Sequence, residues 1–269
     1  MIGIVGNGFV GNAVYQNFRD KTPCKVYDTD KNRSLNTLSE VIEQDFIFVC
    51  LPTPMRYGGE CDLSILDNFF EGLPDNITGT FVIKSTVPIG TTKKYYERHN
   101  VIHNPEFLTA RNAIQDFANS ERNIVGGEPE LCNDFVDFFN KHFPNIPSII
   151  TTSDESEAIK YFSNTFLAYK VAYFNKMYDM CQALGIDYDS FCEGVTADSR
   201  IGKSHTQVPG IDNDRGFGGT CFPKDINSLI VQMESNGVNA DMLKEVWKYN
   251  QEIRSVIDWV VTKKTNEHT

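Results

Sequence analysis

The chain has 269 residues, which is enough for one large domain or two ordinary ones. Its formal net charge of -11 opposes binding to nucleic-acid phosphates, and no apolar run reaches membrane-spanning length. We therefore expect no nucleic-acid partner and no membrane partner. The seven cysteines are scattered without a CxxC pair, which argues against a disulfide framework and a zinc site. We predict no metal site and a reducing, cytoplasmic location.

Short apolar runs alternate with helical patterns in the first half, as in parallel sheets with crossover helices. The first run starts directly after Met1, so we expect no cleavable leader. The predicted strands are Ile2–Val5, Lys25–Tyr27, Phe46–Leu51, Thr80–Ser85, Val101–His103 and Asn123–Val125. Helices are predicted to begin near Gly11, Ser64, Gly90 and Glu130.

The pattern changes after the turn-rich stretch Phe143–Pro147. A long helix is predicted over Asp154–Leu184, with Thr152 and Glu155 at capping-box spacing and Gly185 as its stop. A loop then covers Gly202 to Gly219, a helical pattern runs from Lys224 to Thr262, and residues 263–269 are expected to fray.

These patterns predict an α/β fold. Residues 1–150 would form a Rossmann-type, doubly wound parallel sheet. Residues 151–269 would form a second, all-helical domain.

A G-x-G-x-x-G sequence runs from Gly6 to Gly11, between the first strand and a helical pattern. Such glycines permit a tight turn and close approach of a pyrophosphate, and the helix N-terminus favours phosphate. Asp28 ends the second strand, where a carboxylate accepts from ribose hydroxyls and repels a 2′-phosphate; this favours NAD over NADP, although Lys31 and Arg33 weaken the preference. The predicted cofactor-binding residues here are Gly6, Gly8, Phe9, Val10, Gly11 and Asp28.

Four polar stretches lie at or near the ends of apolar elements, where open α/β sheets form their ligand crevice. They are Lys84–Pro88, Asn104–Leu108, Lys160 with Asn164, and Gly216–Asp225. Lys160 and Asn164 are four residues apart, so both project from one helix face. An amine and an amide together suit a developing oxyanion.

Cys221 directly follows the glycine-rich run Gly216–Thr220. Backbone without large side chains would let a bulky ligand lie close to the thiol. If a helix begins here, its positive end would stabilise a thiolate.

With these motifs in place, the sequence resembles the UDP-glucose/GDP-mannose dehydrogenase family from Met1 to about residue 260. The most specific piece is Gly-Phe-Gly-Gly-Thr-Cys-Phe-Pro-Lys-Asp, supported by Lys-Ser-Thr-Val-Pro and Asn-Pro-Glu-Phe-Leu. The resemblance implies oxidation of the C6 alcohol of a nucleotide sugar to a carboxylate with two NAD, with UDP-glucose as the favoured substrate.

The resemblance also implies residue roles. Cys221 would be the nucleophile that forms a thiohemiacetal and then a thioester, while Asp225 and Thr86 would position a water. Thr86 and Lys224 would also contact the cofactor.

On the substrate side, Lys160 and Asn164 would steady the oxyanion and Glu106 would assist hydrolysis of the thioester. Arg200 would reach the sugar nucleotide across a homodimer interface with the long helix at its core. The resemblance thus makes residues 1–150 the NAD-binding domain and residues 151–269 a dimerisation domain that carries the catalytic cysteine loop. The implied substrate-binding residues are Phe107, Leu108, Lys160, Asn164, Arg200, Phe217 and Gly218.

Two departures from the family pattern keep other functions open. Ala110 stands where the family commonly has a second glutamate, and a third, nucleotide-binding domain is expected to be missing. The chain could thus be a catalytically impaired NAD-binding scaffold or partner subunit. A β-hydroxyacid dehydrogenase with a single hydride transfer is the other enzyme alternative, although it would not need Cys221.

Overall fold

The computed structural model describes residues 1–259 and the backbone of residues 261–262. Its strands are β1 (Ile2–Val5), β2 (Cys24–Tyr27), β3 (Phe46–Val49), β4 (Met55–Arg56), β5 (Thr80–Ile83), β6 (Val101–His103), β7 (Asn123–Gly127), β8 (Ser148–Thr151) and β9 (Val261–Thr262). Its α-helices are α1 (Phe9–Phe18), α2 (Leu38–Ile42), α3 (Ser64–Glu71), α4 (Ala113–Ala118), α5 (Pro129–His142), α6 (Ser153–Leu184), α7 (Tyr188–Thr196), α8 (Phe222–Ser235) and α9 (Asp241–Ile253).

The chain divides into two compact units. The first consists of Met1–Thr53 and Asp62–Lys160, and the second of Pro54–Cys61 and the chain from Tyr161 onward. The division falls within α6. The domain limits 1–150 and 151–269 therefore stay a prediction.

A seven-stranded sheet forms the centre of the first unit, in the order β2-β1-β3-β5-β6-β7-β8. Neighbouring strands are parallel except β6 and β7, which pair antiparallel through Ile102 with Gly127 and His103 with Gly126. The predicted Rossmann-type parallel sheet is confirmed, with one reversed junction. β8 is a further strand that the sequence patterns did not predict.

Helices cover both faces of this sheet, which is the doubly wound arrangement. On one face Phe18 of α1 and Phe135 of α5 pack with Ile4 of β1. On the other face Val41 of α2 and Phe70 of α3 pack with strand residues. The central strands are buried on both faces, which explains why they read as continuous apolar runs rather than alternating ones.

The element bounds differ modestly from the predicted ones. β3 and β5 end two residues earlier than predicted, at Val49 and Ile83. The helix expected near Gly90 is a single 3-10 turn over Thr92–Tyr95. The short helices α2 and α4 were not predicted, and five or six residues are too few to show a helical period.

The long helix α6 confirms both of its predicted ends. Thr152 N donates to Glu155 Oε2 at 2.9 Å and Glu155 N donates to Thr152 Oγ1 at 3.3 Å, which is a capping box. Gly185 adopts φ +67°, and Ile186 N bonds back to Cys181 O.

The second unit is built mainly from helices. Tyr161 and Ala168 of α6 pack with Ile226 of α8 and with Leu243 and Val246 of α9. β4 and β9 add a two-stranded parallel sheet to the helices. The helical pattern expected to reach Thr262 ends at Ile253, and the predicted frayed tail, residues 263–269, lies outside the described residues. Within the described chain, no helix is long and apolar enough to span a membrane.

Candidate active site

The glycine turn between β1 and α1 combines two tight contacts with one open position. Gly6 has φ +88°, and a Cβ there would lie 2.6 Å from Cys50 O. A Cβ on Gly11 would lie 1.9 Å from Gly6 O, so both positions require glycine. A Cβ on Gly8 would meet nothing within 4 Å, and no side chain caps α1 there. The turn thus leaves space for a phosphate at the positive end of a helix.

Asp28 ties the end of β2 to this turn. Its Oδ2 accepts from Asn7 N at 2.6 Å and its Oδ1 from Asp30 N at 2.8 Å, so the carboxylate orientation is fixed. Arg33 pairs with Asp30 at 3.5 Å. Asn7 Oδ1 is buried without a hydrogen-bond partner, which leaves one polar atom at the turn unsatisfied. These features fit a dinucleotide.

Glu106 and Lys160 form a buried ion pair in the first unit. Lys160 Nζ donates to Glu106 Oε1 at 3.1 Å and to Glu106 O at 2.5 Å. Leu108 N donates to Glu106 Oε2 at 2.5 Å, and Lys160 Nζ lies 5.2 Å from the centre of the Phe107 ring. The structure therefore brings four predicted site residues together, and the carboxylate is held from both sides.

A chain of buried polar side chains supports the loop that carries Glu106. Lys84 Nζ donates to Asn104 Oδ1 at 2.8 Å, and Asn104 Nδ2 donates to Ile124 O and Asn123 Oδ1. Burial lowers the pKa of Lys84 to about 8. Thr86, also buried, accepts at its carbonyl from Thr53 Oγ1 at 2.8 Å.

Glu157 is a buried carboxylate that the sequence patterns did not single out. It lies three residues before Lys160 and accepts from Gly90 N at 2.5 Å, and from Thr92 N and Thr92 Oγ1 at 2.7 and 2.6 Å. Burial raises the pKa of Glu157. Its spacing from Lys160 and Asn164 along one helix face was the available signal.

In the second unit, Cys221 is the N-cap residue of α8 and is half-buried. Asn164 Nδ2 donates to Asp225 Oδ2 at 2.6 Å, and Lys224 Nζ donates to Asp225 Oδ1. Burial alone would lower the pKa of Lys224, but the Asp225 carboxylate, together with Cys61 and Cys221, outweighs burial and the pKa is raised. The predicted residues Asn164, Cys221, Lys224 and Asp225 thus meet at the start of one helix.

The glycines before Cys221 have different physical roles. A Cβ on Gly216 would lie 2.3 Å from Asn250 Oδ1, and one on Gly218 would lie 2.0 Å from Arg254 Nη2. Gly216 also has φ +69°, so this position requires glycine, whereas at Gly218 the Arg254 side chain fills the space beside the backbone. Gly219 has φ +73° but nothing within 4 Å of a Cβ, so the open space lies at this position. Phe217 is buried.

Arg200, the implied substrate contact across the dimer, and Ala110, which departs from the family pattern, both lie at the surface. Arg200 occupies a turn after α7, where its guanidinium pairs with Asp198 at 2.5 Å and its side chain is 87% exposed. Ala110 lies in an exposed turn between β6 and α4.

The sheet with helices on both faces, and the glycine turn leading into α1, define a Rossmann-type dinucleotide-binding protein. Comparison with family models gives the particular family. Residues 25–143 match the NAD binding domain of the UDP-glucose/GDP-mannose dehydrogenase family, and residues 154–252 match its central domain. The chain belongs to this family, and its cofactor is NAD.

Known proteins agree with this assignment. The chain is 30% identical to UDP-glucose 6-dehydrogenase TuaD of Bacillus subtilis (strain 168), covering 97% of this chain but 65% of that protein. A UDP-glucose dehydrogenase structure from Pyrobaculum islandicum matches with a TM-score of 0.83 and 26% identity, over 93% of this chain and 68% of that one. A Mycobacterium tuberculosis 3-hydroxyisobutyrate dehydrogenase matches with a TM-score of 0.71 at 15% identity, over 93% and 92% of the two chains, which shows a shared fold alone.

Proposed function

We propose that this chain catalyses the NAD-dependent oxidation of the C6 primary alcohol of a nucleotide sugar, UDP-glucose in first place, to the carboxylate. The observation that carries the proposal is the placement of Cys221 at the N-terminus of α8, beside Lys224, Asp225 and Asn164. A helix N-terminus stabilises a thiolate, and a thiolate is the reactive form of cysteine.

Cys221 supplies the covalent step. After the alcohol is oxidised to the aldehyde, the Cys221 sulfur adds to C6 and the carbonyl oxygen takes a proton, which gives a thiohemiacetal. Loss of a hydride from C6 and of the hydroxyl proton gives a thioester. Water then attacks the thioester carbon, releasing the carboxylate and restoring the thiol. NAD supplies hydride acceptance, one molecule for each of the two oxidations.

We assign the polar side chains around these steps the following roles. Lys160 and Asn164 offer a cation and an amide to the oxyanion. Asp225 and Thr86 position a water for proton transfer, and Glu106, oriented by Lys160, assists hydrolysis of the thioester. The nucleotide sugar would contact Phe107, Leu108, Lys160, Asn164, Arg200, Phe217 and Gly218.

The sharpest test is stoichiometric. Incubation with NAD and a panel of nucleotide sugars should yield two NADH for each acid formed. Cys221→Ser should lose acid formation almost entirely, because a hydroxyl is a much weaker nucleophile at neutral pH. Cys192→Ser is the matched control, since Cys192 is also half-buried in the second unit and contacts the Thr206 hydroxyl.

Other outcomes favour the alternatives. One NADH per product, unaffected by Cys221→Ser, would indicate a single-hydride β-hydroxyacid-type dehydrogenase. This chain shares its fold with the 3-hydroxyisobutyrate dehydrogenase. NAD binding without turnover of any sugar in the panel would indicate a scaffold or partner subunit.

A homodimer built on α6 belongs to the same proposal. One face of the helix within the second unit exposes large apolar side chains at helical spacing: Phe162, Phe166, Tyr169, Tyr173, Met180 and Leu184. Such a continuous apolar stripe is typical of a protein–protein interface. Light scattering at micromolar concentration should show a dimer. Phe166→Glu should produce monomers and Gln182→Glu, also exposed on α6, should not; a monomeric parent protein would refute the dimer.

A further inference from the structure

We propose that Asn250 is a positioning residue for Cys221. It holds the backbone that leads into the thiol from outside the cysteine loop, and it touches none of the reacting atoms. The inference rests on the proposed role of Cys221, and it extends that role to a residue on α9.

Asn250 is fully buried and uses both ends of its amide on one residue. Its Oδ1 accepts from Phe217 N at 2.7 Å, and its Nδ2 donates to Phe217 O at 2.9 Å. The side chain thus pairs with both backbone groups of Phe217, as a residue of a neighbouring β-strand would. Without it, a buried donor and a buried acceptor of the loop would both lose their partners, which is costly.

The preceding residue, Gly216, is also held by a buried asparagine. Gly216 N lies 3.2 Å from Asn175 Oδ1, and Asn175 is a buried residue of α6. Gly216 has φ +69°, and its close approach to Asn250 Oδ1 leaves no room for a Cβ. Two buried asparagines, from α6 and α9, therefore fix consecutive residues of the loop.

The fixed region ends shortly before the thiol. Gly219 N donates to Asp258 Oδ1 at 3.0 Å, and beyond that point the loop opens at the unobstructed side of Gly219. The buried Phe217 ring lies 6.2 Å from Phe222, the first residue of α8, and 6.3 Å from Trp247 of α9. In sequence, Cys221 lies between Phe217 and Phe222. Because the Phe217 ring packs near Phe222, the position of Phe217 affects the chain on both sides of Cys221.

The chemistry at this position requires an amide. An aspartate has the same shape, but it would place an acceptor oxygen against the Phe217 carbonyl oxygen and bury a charge. Asn250→Asp is therefore a conservative change in volume that breaks one hydrogen bond and repels the loop.

The test measures the reactivity of Cys221 directly, without any sugar. The full chain and its variants are treated with iodoacetamide at neutral pH, and alkylation of Cys221 is followed by peptide mass analysis. Asn250→Asp should slow this alkylation about fivefold, the equivalent of one hydrogen bond, because the thiol no longer stays at the helix N-terminus. Hydrogen exchange at the Phe217 amide should become faster in the same variant.

Two controls separate positioning from general destabilisation. Val246→Ala removes buried apolar volume from the same helix and should lower the melting temperature without changing the alkylation rate. Gln251→Glu adds the same charge one residue further along α9, at an exposed position. Asn250→Ser, which loses the bonds without adding charge, gives the same readout should the aspartate variant fail to fold.

An alkylation rate in the Asn250 variants that equals or exceeds that of the parent, or matches the Val246→Ala rate, would overturn the proposal. Unchanged exchange at the Phe217 amide would overturn it too. Failure of the proposed function is recognised separately, by acid formation that persists in Cys221→Ser.

Discussion

Lys84 in the first unit and Lys224 in the second are both largely buried, yet their ammonium groups have different partners. Lys84 is 4% exposed and donates to the neutral amide oxygen of Asn104. The side chain of Lys224 is 13% exposed and donates to the Asp225 carboxylate. Burial lowers the pKa of Lys84 to about 8, whereas Asp225, with Cys61 and Cys221, raises the pKa of Lys224 despite burial.

Burial acts on both lysines, so the charges around each ammonium set the direction in which its pKa moves. The two units also differ in how their buried charges are compensated. Around Cys221 the charges are compensated locally, since Lys224 and Asp225 are adjacent in sequence. In the first unit the compensation is long-range, because Lys160 reaches Glu106 across 54 residues of chain.

Lys160→Met should cause the largest loss of unfolding free energy among the variants that compare long-range with local charge compensation. Glu106 would remain buried and would keep the hydrogen bond from Leu108 N, but it would lose its ion-pair partner. Breaking a buried pair from one side costs about 3–5 kcal/mol of unfolding free energy. Urea unfolding measures the loss. The double variant Lys160→Met/Glu106→Gln should recover much of it, because the uncompensated charge is gone.

Lys224→Met offers the matched comparison. Asp225 and Glu106 would each keep one N–H donor, but the side chain of Lys224 is 13% exposed and that of Lys160 is 3% exposed. Water can therefore reach the site left by Lys224 more easily, and this exchange should cost less than Lys160→Met. An equal or larger loss for Lys224→Met would show that local compensation gives no advantage here.

A smaller effect is expected at the glycine turn. Asp28 should make NAD bind more tightly than NADP, because its carboxylate repels a 2′-phosphate. Asp28→Ala should reduce the preference about tenfold, the equivalent of one lost charge contact. Calorimetric titration with both cofactors measures it, and Asp20→Ala, an exposed carboxylate in the turn after α1, is the control. Equal or tighter NADP binding by the parent protein would contradict the prediction.

Much of this architecture could be predicted, because the signals are local in sequence. The capping box Thr152–Glu155, the stop at Gly185 and the glycine turn each depend on residues a few positions apart. The apolar central strands are buried on both faces, and a continuous apolar run predicts that directly.

What could not be predicted depends on distant pairs. The reversed junction of β6 and β7 leaves no periodic signature in either strand. Glu157 and Asn250 look like ordinary polar helix residues in the sequence, and their roles depend on backbone groups 65 and 33 residues away. The candidate site residues belong to local sequence motifs, whereas the side chains that hold them in place do not.

The smallest expected effect concerns the pH dependence that Lys84 confers. The folded pKa of about 8 lies below the ordinary value of 10.5, so the folded protein releases this proton before the unfolded chain does. Between these two values the unfolded state binds more protons, and stability therefore rises with pH. Lys224 has the opposite sign: its raised pKa gives a contribution that is complete below 10.5 and is lost above its folded pKa.

Lys84→Met removes the first of these contributions. The unfolding free energy of the parent, minus that of Lys84→Met, should increase by about 1 kcal/mol between pH 8 and 9.5, after allowance for partial charge relaxation. The difference cancels every other titrating group that the two proteins share. Lys94→Met, at an exposed lysine in the 3-10 turn, should give a flat difference over the same range. A flat profile for Lys84→Met would mean that Asn104 holds the ammonium as effectively as Asp225 does, and the contrast between the two lysines would then disappear.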